Sequence, residues 1–380
     1  GFIGTDGLDA PDPPTGVAAS GVGQLSVSFT APTDTGTSAI TGFRAQASGV
    51  GTSGTSSPLV ITGLTAGTEV SVSVWAINAY GYSAPSAALL ATPASARGVF
   101  SGASGASNVI DFVTISTTGN ATDFGDQSAT AYLSGALSSS TRGVIAIGNG
   151  ADTMDYITVA STGNASDFGN LSTGGYWLTG LSSSTRGLFR IGYTAAGATV
   201  DTIEYITIAS TGNTTDFGNR SANVQDDAGL ASTTRGVFAG GKTGTVKNII
   251  EYITIASTGN VTDFGDLTLA RDSVNGAANN TRGLFIAGDD GASDNVVDYI
   301  TIASTGNATD FGDTGVGAKE GPCAAANQTR AIDAGGERGG SNVNTIEYFT
   351  IANTGNATDF GDLTATKQGV SALSNGHGGL

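Results

Sequence analysis

The stretch DYITIASTGNATDFGD at residues 298–313 decides the fold, because variants of it recur along the 380-residue chain. Its alternating apolar and polar residues predict a strand, Thr-Gly-Asn predicts a turn, and Thr-Asp-Phe-Gly predicts a short second strand. The Asp of the Asp-Phe-Gly step marks six copies, spaced 44, 49, 47, 47 and 49 residues apart: Asp123, Asp167, Asp216, Asp263, Asp310 and Asp359. One structural unit is therefore repeated six times.

Each copy carries two further strand patterns. An arginine opens a short apolar strand before the quoted stretch, and in the fifth copy the small residues of Ser273–Ala278 precede that arginine. Four strands in a copy of 44–49 residues match one β-propeller blade, whereas β-helix coils are shorter and helical repeats show a period of about 3.6 residues. We therefore predict an all-β protein with a six-bladed β-propeller over residues 95–380, its repeats starting near residues 97, 142, 186, 235, 282 and 330.

The two ends of the repeat region indicate how the ring closes. The first copy, at Arg97, lacks a small-residue strand before it, whereas GVSALSNG at residues 369–376 follows the last outer strand and matches the missing piece. We expect this C-terminal segment to pair into the first blade, which would also remove free sheet edges.

The layout of the repeat resembles that of kelch repeats. A Gly-rich strand end is followed by an acidic-aromatic strand, a Thr-Gly-Asn turn and an outer strand. The double glycine of that family is clear only at Gly240-Gly241 and Gly335-Gly336, and Phe124 and its equivalents stand where the family has Trp. The resemblance implies a kelch-like propeller.

The front of the chain has a different pattern. GLTAGTEVSVSVWAINAYGYSAPS at residues 63–86 resembles the E-to-G region of fibronectin type III domains, and its valines at 70–74 are expected to face inward. Phe29 and Val70 stand where that family has Trp and Tyr, and both keep an apolar group in the core. The resemblance implies a fibronectin type III-like β-sandwich over residues 10–94, a fold that says little about activity.

Residues 1–9 form a Gly-rich lead or linker, and the chain starts at Gly1 with no signal-peptide pattern. We therefore expect a processed chain or a segment of a longer protein.

Composition excludes several classes of function. The net charge of −17 repels phosphate backbones and anionic membranes, so we expect no nucleic-acid binding, and no apolar run is long enough for membrane insertion. Cys323 cannot form an intrachain disulfide, and His377 is the only histidine, so catalysis or zinc binding that needs several histidines is not expected. We predict no enzyme activity, no cofactor and no metal; a hydrolase using two carboxylates is the alternative.

The repeated polar residues have a structural interpretation. We expect ion pairs and turn bonding within or between blades from the repeated arginines and from six acids that precede the repeated aromatic: Asp111, Asp155, Glu204, Glu251, Asp298 and Glu347. The N-x-[ST] asparagines are expected to cap turns rather than carry glycans, with the preceding glycine in an unusual conformation: Asn120, Asn164, Asn213, Asn260, Asn307 and Asn356. The alternative is a cation held by Asn120, Asp123 and Asp126, which Asn170 and Asn219 weaken by replacing the third acid in two copies.

Positions that differ between copies are the candidates for recognition. Nine residues after each repeated Asp the chain has, in order, Tyr132, Tyr176, Gln225, Asp272, Lys319 and Gln368, and the next position adds Trp177, Asp226 and Glu320. These precede the innermost strand, so they are expected to surround one mouth of the propeller, where aromatics beside amides and acids suit sugars. The predicted ligand-binding set is Tyr132, Tyr176, Trp177, Gln225, Asp272, Lys319 and Glu320. The alternative is drift in exposed loops.

The near-identical YITIASTGN-x-TDFGD copies, joined to a fibronectin-like module, resemble repeats of phage virion proteins, especially tail fibres and head or tail appendages of marine and cyanobacterial phages. The resemblance implies a non-enzymatic virion protein that displays a propeller to a host-surface glycan, with other virion structural proteins as partners and a homo-oligomer as an open alternative. The rival interpretations are a secreted or cell-surface bacterial adhesin and a purely structural capsid or tail decoration protein.

Overall fold

A computed structural model describes residues 9–105, 107–315 and 317–380. The protein is all-β, as predicted, and is built of antiparallel sheets, none of which closes into a barrel. The described residues contain no helix long and apolar enough to cross a membrane. The chain divides into two compact units between Ala96 and Arg97.

The first unit has a three-stranded sheet, β1-β2-β5, and a five-stranded sheet, β4-β3-β6-β7, in which β8 also pairs with β6. Alternate residues of both sheets form one hydrophobic core, in which the rings of Phe29 and Phe43 lie 4.8 Å apart. Val70, Val72 and Val74 are buried there, which confirms their predicted inward orientation. The strands are β1 (Thr15–Ser20), β2 (Leu25–Thr30), β3 (Ile40–Ala47), β4 (Val50–Gly54), β5 (Leu59–Ile61), β6 (Val70–Asn78), β7 (Gly81–Tyr82) and β8 (Leu89–Ala91).

The second unit contains the repeats. Its first strands are β9 (Arg97–Ser101), β10 (Ser107–Thr114), β11 (Thr122–Ala131), β12 (Gly135–Ser138), β13 (Arg142–Ala146), β14 (Thr153–Thr158), β15 (Ser166–Asn170), β16 (Gly175–Tyr176), β17 (Thr179–Ser182), β18 (Arg186–Arg190), β19 (Tyr193–Thr194), β20 (Thr202–Thr207), β21 (Thr215–Asn219), β22 (Ala228–Ala231) and β23 (Arg235–Ala239). The remaining strands are β24 (Lys242–Thr243), β25 (Thr245–Val246), β26 (Ile249–Thr254), β27 (Thr262–Asp266), β28 (Asn275–Ala278), β29 (Arg282–Asp289), β30 (Ser293–Thr301), β31 (Thr309–Asp313), β32 (Cys323–Ala326), β33 (Arg330–Ala334), β34 (Glu337–Arg338), β35 (Ser341–Asn342), β36 (Thr345–Thr350), β37 (Thr358–Asp362) and β38 (Ser371–Ser374).

Each repeat forms a four-stranded antiparallel sheet, and the sheets are numbered here from one to six along the chain. Their strand orders are β38-β9-β10-β11, β12-β13-β14-β15, β17-β18-β20-β21, β22-β23-β26-β27, β28-β29-β30-β31 and β32-β33-β36-β37. The first strand of each sheet, here called its inner strand, contacts the inner strands of the sheets before and after it, and the six contacts make a closed cycle. In sheet one the inner strand is β38, the C-terminal segment Ser371–Ser374, which pairs with Arg97–Ser101.

Neighbouring sheets share hydrophobic cores. Between sheets two and three, for example, Phe168 packs with Phe189, Ile191 and Ile206. The Phe of every Asp-Phe-Gly step is buried and meets the aromatic residue of its own sheet edge-on, with ring centres 5.8–6.3 Å apart. These phenylalanines are therefore core residues.

The repeated asparagines bind the neighbouring sheet, a role that differs from the local turn caps expected from the sequence. Asn307 Oδ1 accepts a hydrogen bond from the backbone N–H of Asp266, 3.1 Å away in the preceding sheet, and the other five copies repeat this contact. The N–H groups of Gly306 and Ala308 add bonds of 2.8 Å to Phe264 and Asp266. The glycine before each asparagine has φ of 153–156°, which confirms its predicted unusual conformation.

The repeated arginines form no ion pair with the repeated acids in the described parts of the chain, contrary to expectation. Each guanidinium lies 4.1–4.6 Å from the centre of an aromatic ring in its own sheet. Its Nη1 donates to a backbone carbonyl of the next sheet, as from Arg186 to Ile255 at 3.0 Å. A delocalised cation suits this double role, because its flat face stacks on the ring while its edge donates hydrogen bonds.

The repeated acids are buried and bind residues that follow the Asp-Phe-Gly step of the preceding sheet. Asp155 accepts two hydrogen bonds of 2.8 Å from the backbone N–H and the hydroxyl of Ser128. Asp298 accepts one of 2.6 Å from the Thr268 hydroxyl and pairs with Arg271 at 3.1 Å. Buried cations also pair with Glu251, Glu347 and Asp111. These contacts connect neighbouring sheets, and at Asp298, Glu251, Glu347 and Asp111 a buried cation compensates the charge of the acid.

Candidate functional site

Six linkers, each running from the last strand of one sheet to the inner strand of the next, meet at one end of the ring of inner strands. One residue of each linker has a left-handed backbone, with φ of 50–67°: Leu133, Trp177, Asp226, Ser273, Gly321 and Gly369. Four of these are not glycine, so the fold holds them in a conformation that such residues avoid. Backbone strain of this kind concentrates at functional sites.

Backbone hydrogen bonds join the linkers in two sets of three, and all six together are here called the collar: residues 132–134, 177–179, 226–227, 273–275, 320–322 and 368–370. The N–H of Leu133 donates to the carbonyl of Gly369 at 3.0 Å, and Leu178 donates to Leu133 at 3.1 Å. On the other side, Ser273 donates to Asp226 at 3.0 Å and Gly321 donates to Ser273 at 3.2 Å. The linkers within each set are therefore held to one another, and the Thr179 hydroxyl links the two sets by donating to Asp227.

The collar surrounds a cavity of about 260 Å³, here called the mouth cavity. Its walls are mostly polar and come from all six linkers together with two residues of the second unit outside them, Lys242 and Asp289. The side chains in these walls include Tyr132, Trp177, Asp226, Lys242, Asp289 and Glu320.

One side of the mouth cavity is aromatic. The Trp177 ring meets Tyr193 edge-on at 5.8 Å and lies 6.4 Å from the ring of Tyr176, so its orientation is fixed by two neighbours. The ring of Tyr132 lies over Gly369, where an added Cβ would come within 2.5 Å of the ring. Glycine at position 369 therefore makes room for Tyr132.

The other side of the mouth cavity is acidic. Burial is the main cause that raises the pKa of Asp226 to about 6, and a hydrogen bond from the Ser273 hydroxyl at 2.7 Å partly opposes it. Burial, a hydrogen bond with Asp289 and the negative charges nearby raise the pKa of Glu320 to about 7. Lys242, the cation in the cavity wall, is paired with Asp272 at 2.5 Å. Carboxyl groups that keep protons near neutral pH can donate as well as accept hydrogen bonds.

Of the seven predicted site residues, Tyr132, Trp177 and Glu320 line the mouth cavity. Tyr176 lies beside Trp177 but does not line the cavity. Gln225 pairs through its backbone with Lys242, and Asp272 is buried against the Lys242 ammonium.

Lys319 lies elsewhere. It is fully buried, and its ammonium pairs with Asp333 at 2.6 Å and Glu347 at 3.3 Å. The prediction for Lys319 was wrong because the linker after Asp310 has one extra residue. The inner strand that follows starts thirteen residues after Asp310, whereas the corresponding strand starts twelve residues after Asp263. Glu320 is the true counterpart of Asp272, since both form a bridge to the strand that follows, with Glu337 and Asp289 respectively.

Sequence reasoning missed Lys242 and Asp289. Both follow the Gly-rich end of the second strand in their sheets, Gly240-Gly241 and Gly288, where positive φ angles turn the chain. The glycines are visible in the sequence and predict a turn, but a turn does not predict that the residue after it reaches the mouth cavity.

In the described residues, no group of three or more His, Cys, Asp or Glu side chains is placed to hold a metal ion. Comparison with protein-family models and with curated proteins finds no match to this chain.

Proposed function

We propose that the two units are a fibronectin type III-like β-sandwich and a six-bladed, kelch-like β-propeller. The shared core of two antiparallel sheets supports the first assignment. Six four-stranded sheets, with inner strands that contact one another in a closed cycle, support the second. In this arrangement the C-terminal strand β38 completes the first blade and joins the ends of the ring.

The proposed function is attachment: a non-enzymatic virion appendage protein whose propeller mouth contacts a glycan on the host surface. The observation that carries this proposal is the mouth cavity, where side chains that differ between repeats converge on linkers that hydrogen bonds hold to one another. Variable side chains on a repeated scaffold are a common solution for recognition. The virion assignment itself comes from the resemblance of the repeats to phage appendage proteins.

The lining favours a sugar with many hydroxyls. The Trp177 ring offers a flat apolar surface for the C–H face of a pyranose, while Asp226 and Glu320 offer hydrogen bonds to hydroxyl groups. Four acids line the cavity, of which Asp227 is neutralised by Arg190 and Arg220; the other three, beside a lysine that is already paired, disfavour anionic ligands. We therefore expect neutral or amino-bearing glycans to bind at the mouth and acidic glycans to be excluded from it.

A glycan microarray tests this proposal with the full chain and the variant Trp177→Ala. Loss of a stacking partner that is fixed in place should weaken binding by about tenfold. Tyr80→Ala, which removes a 48% exposed aromatic in the first unit, is the control and should bind as the unmodified chain does. Unchanged binding by Trp177→Ala would refute recognition at the mouth, and a chain that binds no glycan would favour the decoration protein.

Glycoside hydrolysis is a second candidate, because Glu320, whose pKa is raised, lines the same cavity as two other carboxyl groups, those of Asp226 and Asp289. A protonated acid beside a carboxylate is the minimum for that reaction. We expect no turnover of polysaccharides or aryl glycosides by the purified chain. Turnover that is lost in Glu320→Gln would establish the enzyme instead.

The virion and adhesin interpretations predict different partners. A virion part should purify with capsid or tail proteins, whereas an adhesin should purify with the cell envelope. Mass spectrometry of gradient-purified particles and of envelope fractions separates the two.

A further inference from the structure

The first unit carries a groove on the outward face of its five-stranded sheet. Arg44 of β3 lies opposite Trp75 of β6. Ile77 follows Trp75 by two residues in β6 and pairs with Tyr82 of β7. The residues that alternate with Arg44 and Trp75, such as Ala45 and Val74, are buried in the core, so this face points away from it. Arg44, Gln46, Trp75 and Tyr82 line a groove of about 200 Å³.

Arg44 and Gln46 have small cross-strand neighbours in this groove. Ser53 lies opposite Arg44, and Gly51 and Ser73 lie on either side of Gln46. These short residues leave the broad side chains uncovered, and Tyr82 is 54% exposed. Aromatic surface that no neighbour covers is favourable to bury against a ligand.

Arg44 is the only lysine or arginine in residues 1–96, a stretch that holds five acids. Within the described residues it makes no hydrogen bond, ion pair or ring contact, so its guanidinium is available. A guanidinium binds a carboxylate through two parallel hydrogen bonds, and charge-assisted bonds of this kind are the strong ones.

We propose that this groove binds an acidic saccharide, with a sugar carboxylate on Arg44, the C–H face of the ring on Trp75 and Tyr82, and hydroxyl groups on the Gln46 amide. Peptides that bind sheets add to an edge strand through backbone bonds. Here the backbone under the groove is already paired between β3, β4 and β6, which favours a ligand that binds through side chains alone. The site goes beyond the mouth of the propeller, because it lies in the first unit and selects the opposite charge.

Tryptophan fluorescence tests the groove directly, because Trp75 and Trp177 are the only tryptophans. In the full chain carrying Trp177→Phe, Trp75 is the single reporter, and titration with trigalacturonate should change its emission saturably. The methyl ester of the same trisaccharide should bind at least about tenfold more weakly, because it loses the charge-assisted pair. In this background no tryptophan remains at the mouth, so a change in emission reports binding at the groove alone. Failure of binding at the groove is therefore distinguishable from failure of glycan binding at the mouth.

Three variants assign the signal to residues. Arg44→Gln should remove the preference for the acid over its ester, and circular dichroism should show an unchanged fold because Arg44 has no partner to lose. Tyr82→Ala should weaken binding of both ligands. Tyr80→Ala, which changes a tyrosine of similar exposure outside the groove, should weaken binding of neither. The proposal is overturned if the acid and ester bind equally, if neither changes Trp75 emission, or if triglutamate binds as tightly as trigalacturonate.

Discussion

The glycine of the Asp-Phe-Gly step is the most direct place to test how the repeats hold together. Gly265 has φ of 149°, and a Cβ there would come within 2.5 Å of the backbone of Gly306 in the next sheet. Gly259 has nearly the same conformation, φ of 154°, but a Cβ there would meet nothing within 4 Å. The pair Gly265→Ala and Gly259→Ala therefore separates backbone strain from contact between sheets.

The expected magnitudes follow from these two terms. Backbone strain should cost about 1–3 kcal/mol in both variants. Gly265→Ala must also move the neighbouring turn by about 1 Å to restore an ordinary contact, and overpacking of this kind costs about 1–3 kcal/mol more. Movement of that turn also strains the hydrogen bonds from Gly306 and Ala308 to sheet four. We expect Gly265→Ala to be the more destabilising variant by about 1–3 kcal/mol.

Urea unfolding of the full chain, followed by circular dichroism and by Trp177 emission in a Trp75→Phe background, measures this difference. Trp177 reports the second unit alone, so unfolding of the first unit does not confuse the result. Equal losses of stability in the two variants would refute the idea that the Asp-Phe-Gly glycine is required by the next sheet.

Three other perturbations have defined outcomes. Deleting residues 364–380 removes β38 from sheet one, so the second unit should melt at a lower temperature; a truncated chain that melts as the intact one does would contradict closure by the C-terminal strand. Lys319→Met removes the cation that pairs with the buried Asp333 and Glu347, so the free energy of unfolding in urea should fall by about 3–5 kcal/mol. A fall below about 1 kcal/mol would show that Lys319 does not compensate their charge. Folding raises the pKa of Glu320, so its contribution to stability is present below its unfolded pKa and is lost as the pH rises through about 7. Glu320→Gln should therefore flatten the plot of the free energy of unfolding against pH in this range. An unchanged slope between pH 5 and 8 would refute the assignment.

Local patterns were sufficient for much of this protein. The all-β class, the positions of the strands in the repeat and the unusual backbone at the glycine of Thr-Gly-Asn follow from alternation and turn residues, which act over a few neighbouring positions. The valines at 70–74 show the same logic, because alternation along one strand already says which side is apolar.

The tertiary structure decided which distant groups meet. Arg186 and Glu204 are repeated together in the sequence, yet the arginine binds the Ile255 carbonyl of the next sheet while the acid binds Ser172 of the preceding one. Partner choice depends on how sheets pack side by side, and no local pattern contains that information. The extra residue after Asp310 has the same effect, since it moves Lys319 into a buried ion pair and places Glu320 at the mouth. Spacing in the sequence predicts position in space only while every linker has the same length; at the mouth, where six linkers converge, one added residue changes which side chain faces the cavity.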